Sequence, residues 1–196
     1  MTESTGRRER KRLQTIDKLA ETAWGLFEAQ GFEQVTMEAI ADAADVAKGT
    51  LYKHFPVKEA LLQHQIHAQM QAELPKLLAQ LKSTPDIRGR LRGFFAISAD
   101  WSERHRDYLP HYLHFRMNPA GRGSRSGTDR IFAWLIEAGI QRGELRRDLT
   151  PETGVHYLTF LYLGALLRWL STPDLILNEE LDNVVMLFLD GMGRKS

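Results

Sequence analysis

Apolar residues recur at intervals of three and four along most of this chain, and no stretch alternates with the period of two that marks a half-buried strand. The spacing predicts a first helix from about Glu9 to Gln30, with Leu13, Ile16, Leu19/Ala20, Ala23/Trp24 and Phe27 on one face. Gly31 stops it and Phe32 packs back. Residues 1–8 read as a loose polar arm. Thr36 to Phe55 then reads as two short helices with a sharp turn at Asp45-Val46. Thr36 caps the first, whose inward stripe is Ile40 and Ala43/Ala44. Ala39, Ala41, Ala43, Ala44 and Ala47 are small enough to let the two helices meet closely at a steep angle. Val46, Leu51 and Phe55 turn the second helix inward, so Lys48, Tyr52 and Lys53 lean out together.

Phe55-Pro56 ends that helix, because a residue before proline is pushed out of the α region. A new helix begins at Pro56 and runs through Leu61, Leu62, Ile66, Met70 and Leu74 towards Leu81, with a kink expected at Pro75. Ser83-Thr84-Pro85-Asp86 is a turn with a capping signal. Beyond it residues 87–196 read as helix throughout. One helix carries Ile87, Leu91, Phe94/Phe95, Ile97/Ser98 and Trp101, and a short aromatic one spans Tyr108 to Met117. Asn118 to Gly127 is the clearest loop, rich in Gly, Ser and Arg. Thr128 to Arg142 is helical again, and Thr150-Pro151 opens a long helix with a cap and a first-turn proline. That helix and the last one, with Leu181, Val184/Val185, Phe188 and Met192, are the most apolar of the chain.

Composition narrows the class. At 196 residues, 43% hydrophobic and 9% aromatic, the chain is long enough for one or two globular domains. It has no cysteine, which excludes disulfides, thiol catalysis and thiolate metal sites. The start is polar and no apolar run is long enough to span a bilayer, so a cytoplasmic location is expected. The net charge of +1 does not announce a nucleic-acid partner, and the first sixty residues hold nine Lys/Arg against ten Asp/Glu. Distribution matters more: Arg7 to Arg12 has five basic residues to one acid, and Lys48 to Lys58 has three and no acid. Local patches of this kind neutralise phosphates.

Two helices joined by a short turn, the second studded with donors, is the helix-turn-helix pattern. Thr36, Ile40-Ala41, Ala44, Val46, Lys48-Gly49-Thr50-Leu51-Tyr52, Phe55-Pro56, Lys58-Glu59 and Leu61-Leu62 together resemble the DNA-binding signature of the tetracycline-repressor (TetR) family of bacterial regulators. The chain departs from that signature at Asp45, where the family usually has Gly; Asp tolerates left-handed backbone better than most residues. Candidate DNA contacts are Thr36, Lys48, Gly49, Thr50, Tyr52, Lys53, His54 and Lys58. Lys48 can reach a phosphate or a guanine edge, Thr50 a base edge or thymine methyl, and Gly49 lets backbone approach the groove. Tyr52 and His54 suit phosphates, as in the resembled family. Thr36 and Lys58 stand at helix starts, where N–H groups also face phosphate.

The resemblance further implies an all-α protein. Residues 1–56 would form the DNA-binding head, with a connecting helix from 57 that moves when ligand binds, and residues 57–196 a helical regulatory and dimerisation domain. It implies that the last two helices pair with their mates in a four-helix interface, for which Leu158, Leu161, Ala165, Leu181, Val185 and Phe188 are the candidates. Trp101, Tyr108, His111, Tyr112, Phe115, Trp134 and Tyr157 are candidates to line an effector pocket, since pockets are apolar and aromatic with a few placed polar groups. The histidine pairs His64/His67 and His111/His114 lack the carboxylates that would complete a metal site, so no metal and no cofactor is expected. No catalytic motif is present and no enzyme is expected. The expected function is a ligand-responsive repressor, a homodimer on a near-palindromic operator with a small, largely apolar effector. The competing reading is a helical small-molecule carrier or partner-binding module without DNA function, favoured by the acidic tally of the head.

Overall fold

The computed structural model describes residues 3–118, 127–148 and 150–192, and the side chains of 3–5, 7, 8 and 192 lie outside that description. The described residues form nine α-helices and no strand: α1 Glu3–Gln30, α2 Met37–Ala43, α3 Lys48–His54, α4 Lys58–Lys82, α5 Ile87–Arg104, α6 Leu109–Met117, α7 Gly127–Gln141, α8 Pro151–Ser171 and α9 Leu177–Met192. The chain divides into two compact units. One holds Met1–Gln69 with His114–Gly121, the other Met70–Leu113 with Arg122–Ser196, so α4 and α6 each contribute to both. Among the described residues no helix is long and apolar enough to cross a membrane.

The first unit is a three-helix head on the start of α4. Its core is Leu19, Ala20, Ala23, Trp24 and Phe27 of α1 with Ile40 and Ala41 of α2, Leu51 of α3, and Leu61, Leu62 and Ile66 of α4. Two boundaries differ from the sequence pattern. Helix α1 begins at Glu3 rather than near Glu9, and Leu13 is exposed, so inward packing starts only around Ile16 and Leu19. Helix α4 begins at Lys58, two residues after Pro56. It runs through Pro75 as one helix; that proline has no N–H to offer the Gln71 carbonyl. Gly31 takes φ +83°, and its N–H closes α1 onto the Phe27 carbonyl at 2.8 Å.

The second unit packs α5, α7, α8 and α9 around a shared apolar core. The Asp86 carboxylate accepts from the Gly89 N–H and starts α5; the Thr150 hydroxyl accepts from Thr153 and starts α8, with Pro151 in its first turn. Phe94, Phe95 and Phe132 surround Tyr162, whose ring stacks on Phe95 with centroids 5.6 Å apart. Ile97 points outward, although its spacing had suggested the inward stripe. The expected loop Asn118–Gly127 lies mostly outside the described residues, and Gly127 already belongs to α7. Arg90, fully buried, binds the turn before its own helix: its Nε donates to the Thr84 carbonyl at 2.9 Å and Nη2 to Pro85 at 2.6 Å. Arg142 donates to the same Pro85 carbonyl, and Glu144 stands 3.6 Å from Arg90 Nη1, so the α7–α8 connection is tied to the α4–α5 turn.

Candidate nucleic-acid interface

Helix α2 ends in a turn that decides where α3 points. The Asp45 N–H donates to the Asp42 carbonyl at 3.1 Å and the Val46 N–H to Ala41 at 3.0 Å, the double closure of a Schellman motif. Asp45 occupies the left-handed position of that motif at φ +54°, where glycine is the usual residue. Lys18 reaches across from α1 and donates to the Ala44 carbonyl at 2.7 Å, which satisfies a further group at the helix end. At the other end of α2, the Thr36 hydroxyl accepts from the Ala39 N–H at 3.1 Å. The turn is thus fixed by hydrogen bonds on both sides.

Helix α3 is anchored by one fully buried residue, Leu51, with Phe55 buried at its end. This leaves Lys48, Gly49, Tyr52 and Lys53 exposed and Thr50 and His54 half-buried. Among the described residues neither lysine has an ion-pair partner, and the helix carries no acid. The Tyr52 phenol lies 3.4 Å from a Glu38 carboxylate oxygen of α2. Desolvation beside α2, and then the Glu38 charge, push its pKa up from the ordinary tyrosine value. The group is therefore a short, rigidly seated helix with two free cations, a phenol donor and a residue without a side chain. Such a helix can lie against a groove and place donors on phosphates and base edges.

Lys58 does not belong with them. Its ammonium donates to the carbonyls of Phe32, Glu33 and Val35 at 2.8, 3.3 and 3.4 Å, and sits 4.4 Å above the Phe32 ring. Its three donors are used to hold the α1–α2 connection against α4, so it is corrected from a phosphate contact to a structural cation. His64 of α4 is 3.0 Å from Asp17 of α1 and meets the Phe55 ring edge-on, a second tie behind α3. Spacing alone did not reveal either tie.

The other sequence-predicted sites are rearranged. Leu158, Ala165, Leu181, Val185 and Phe188 are buried in the second unit's own core and Leu161 is half-buried. They face inward because α8 and α9 pack on each other and on α5 and α7, so they are not a free surface for a partner. The outward apolar row is instead Tyr157, Phe160 and Leu167 of α8 with Met186 and Leu187 of α9, and Ile176 just before α9. Tyr157, 56% exposed, is therefore corrected from a pocket lining to a member of this row. Trp101, Tyr108, His111 and Trp134 are half-buried, and Tyr112 and Phe115 are buried. Trp101 stacks on His105 at 4.3 Å and Tyr108 follows at 6.5 Å, so only part of the predicted aromatic set is gathered in one place. Among the described residues no group of three potential ligands could hold a metal ion.

Comparison with known proteins gives this geometry its context. The family profile for bacterial regulatory proteins of the tetR family matches residues 19–64, from the middle of α1 through α2 and α3 into α4. Thermus thermophilus FadR, a TetR-family transcriptional repressor solved in complex with lauroyl-CoA, is 30% identical. The likeness covers 92% of this chain and 96% of that one, with a TM-score of 0.76. The transcriptional repressor DhaR of Mycobacterium sp. strain GP1 is 28% identical over 160 residues, 76% of this chain and 79% of its own length. The transcriptional regulator TcmR of Streptomyces glaucescens is 42% identical over 72 residues, 37% of this chain and 32% of its own.

Proposed function

The chain belongs to the TetR family of bacterial regulators, and from that premise we propose that it works as a homodimer on a near-palindromic operator, released by a small, largely apolar effector. It is a ligand-responsive, DNA-binding transcriptional repressor. Residues 1–56 read DNA, the connecting helix runs from 57, and residues 57–196 bind effector and dimerise. No side chain is assigned a catalytic role, and the site of action is the cytoplasm, where the DNA is.

The observation that carries the reading is the outward row on α3: Lys48, Gly49, Tyr52 and Lys53 exposed together over a buried Leu51. Lys48 and Lys53 neutralise phosphate, Tyr52 exchanges its long 3.4 Å bond to Glu38 for a phosphate oxygen, Thr50 reads a base edge, and His54 and Thr36 flank them. A two-fold dimer presents this row twice, to successive major grooves about 34–36 Å apart. Dimerisation is supported by the apolar row on α8 and α9, since a contiguous exposed apolar patch marks an interaction surface and a two-fold axis makes such a patch meet itself. Effector binding favours a state whose head spacing misfits the operator, which requires unequal affinity for the two states.

The test is fluorescence anisotropy on DNA from upstream of the chain's own gene at two salt concentrations, with Lys48→Ala and Tyr52→Ala beside the wild type. Tight binding that weakens with salt and collapses in both variants is expected. Binding that survives both substitutions refutes α3 as the reader. Titration of the complex with lauroyl-CoA, the ligand of the Thermus relative, then asks whether an acyl thioester releases the operator.

A further inference from the structure

Three hydroxyls of the second unit, on half-buried Ser98 and buried Tyr162 and Ser102, stand close to an apolar core. Ser98 of α5 and Tyr162 of α8 hydrogen-bond across the helices at 2.6 Å. Ser102, one turn further along the same face of α5, is 1% exposed, and its Oγ has no hydrogen-bond partner. Positions i and i+4 share a helix face, so Ser102 points towards α8 as Ser98 does. The two helices run in the same direction there, because Ser98 meets Tyr162 and, further on, Arg106 lies 4.2 Å over the Trp169 ring. Ser102 is therefore level with Ala165, and Ser98, Ala99, Ser102 and Ala165 are all small. A buried hydroxyl without a partner is a standing cost, and in a native protein it calls for a missing partner.

We infer that Ser102 is the recognition point for the effector, and that the effector is an apolar molecule with one uncharged hydrogen-bonding group. This rests on the effector-responsive reading above. The group sits between α5 and α8 beside the Ser98–Tyr162 pair, with its apolar body against the Phe94, Phe95 and Phe132 rings. It is uncharged because the ionic side chains nearby are taken: Arg106, one turn on, lies over the Trp169 ring and donates to the Trp169 carbonyl at 3.4 Å. Arg90 is three turns back and occupied by the Thr84 and Pro85 carbonyls, and Glu180 is paired with Arg168 at 2.7 Å. A carboxylate or ammonium here would be buried without a counter-charge.

The test uses the full chain and three probes of equal length: 1-decanol, decanoate and decane. Thermal shift and operator release are measured for wild type, Ser102→Ala and Ser102→Cys. In the wild type 1-decanol is expected to bind more tightly than the other two. Ser102→Ala weakens 1-decanol by about tenfold, the worth of one hydrogen bond, leaves decane unchanged, and Ser102→Cys falls between. Without ligand, Ser102→Ala melts at the wild-type temperature or higher, because an unsatisfied hydroxyl is gone, and its operator affinity is unchanged. Any of four results overturns the inference: no shift with 1-decanol, preference for decanoate, no difference between wild type and Ser102→Ala, or a lower melting temperature for the free variant. Loss of operator binding in the wild type would instead fault the repressor reading itself.

Discussion

Leu187 and Leu181 are six residues apart on α9 and have opposite fates, which makes them a sharp pair for testing how the chain dimerises. Leu187 is 65% exposed and Leu181 is fully buried in the second unit's core. Burying a whole leucine side chain is worth about 1.5–3 kcal/mol. Covering the exposed two thirds of Leu187 is then worth about 1–2 kcal/mol, and a two-fold interface counts it twice, about 2–4 kcal/mol. Leu187→Ala should raise the dimer dissociation constant by roughly thirty- to several-hundredfold. Leu181→Ala should act on the fold instead, at a cost of about 2–5 kcal/mol for lost burial and the cavity left behind. Sedimentation velocity over a range of protein concentrations reads the first effect, and urea unfolding the second. If Leu187→Ala dimerises like the wild type while Leu181→Ala dissociates as a folded monomer, the outward row on α8 and α9 is not the interface.

Three further outcomes follow from the head and the turn behind α5. Lys58→Met should destabilise the head by about 1.5–3 kcal/mol in urea melts, for lost hydrogen bonds to a charged donor. The salt dependence of operator binding should keep its slope in that variant, whereas Lys53→Ala should flatten it by about 0.9, one phosphate contact. Asp45→Gly should be neutral to slightly stabilising by thermal melting, because glycine's freedom in the unfolded chain offsets the relief at φ +54°, while Asp45→Val should cost about 1–2 kcal/mol. Arg90→Met should cost about 3 kcal/mol, since the Thr84 and Pro85 carbonyls and the Glu144 carboxylate lose their cation together; stability near wild type would show that water replaces the guanidinium.

The helix order and most of the ends were legible because they are written locally. Thr36, Asp86 and Thr150 cap with their own hydroxyls or carboxylate three residues ahead, and Gly31 stops α1 at positive φ. The start of α1 was not legible from periodicity, since Gly6 and the residues from Glu9 to Gln14 are exposed and show no inward face; the Glu9–Arg12 pair supports the helix there instead. Lys58 misled for a different reason. A lysine at a helix start reads as a phosphate contact, and its real partners lie 23 to 26 residues upstream. Helix α8 is apolar nearly all round, and pattern alone does not say which face belongs to the chain's own core. The structure divides it: Leu158, Tyr162, Ala165 and Trp169 go inward, Tyr157, Phe160 and Leu167 outward. Ser102 was not singled out by the pattern, although it stands at i+4 from Ser98, and only the cross-helix bond from Ser98 to Tyr162 shows what that face meets.

A formal net charge of +1 gives this chain no long-range field to draw it to DNA, so affinity has to come from placement. The acids that outnumber the bases in the head do not oppose this, because several are already engaged. Asp17 meets His64, Glu9 holds Arg12, Glu33 stands 3.9 Å from Lys58, and Glu38 receives Tyr52. All of them lie on α1, α2 and the segment between, while α3 has no acid and keeps Lys48 and Lys53 unpaired. Beside the five basic residues of Arg7 to Arg12, α3 therefore brings two cations of its own to the head. On the proposed reading, operator preference comes from the base edges facing Thr50 and Lys48 and from the requirement that two heads engage at once. On that reading dimer geometry is a large share of operator affinity, which is the condition under which a modest change in head spacing is enough to release the DNA.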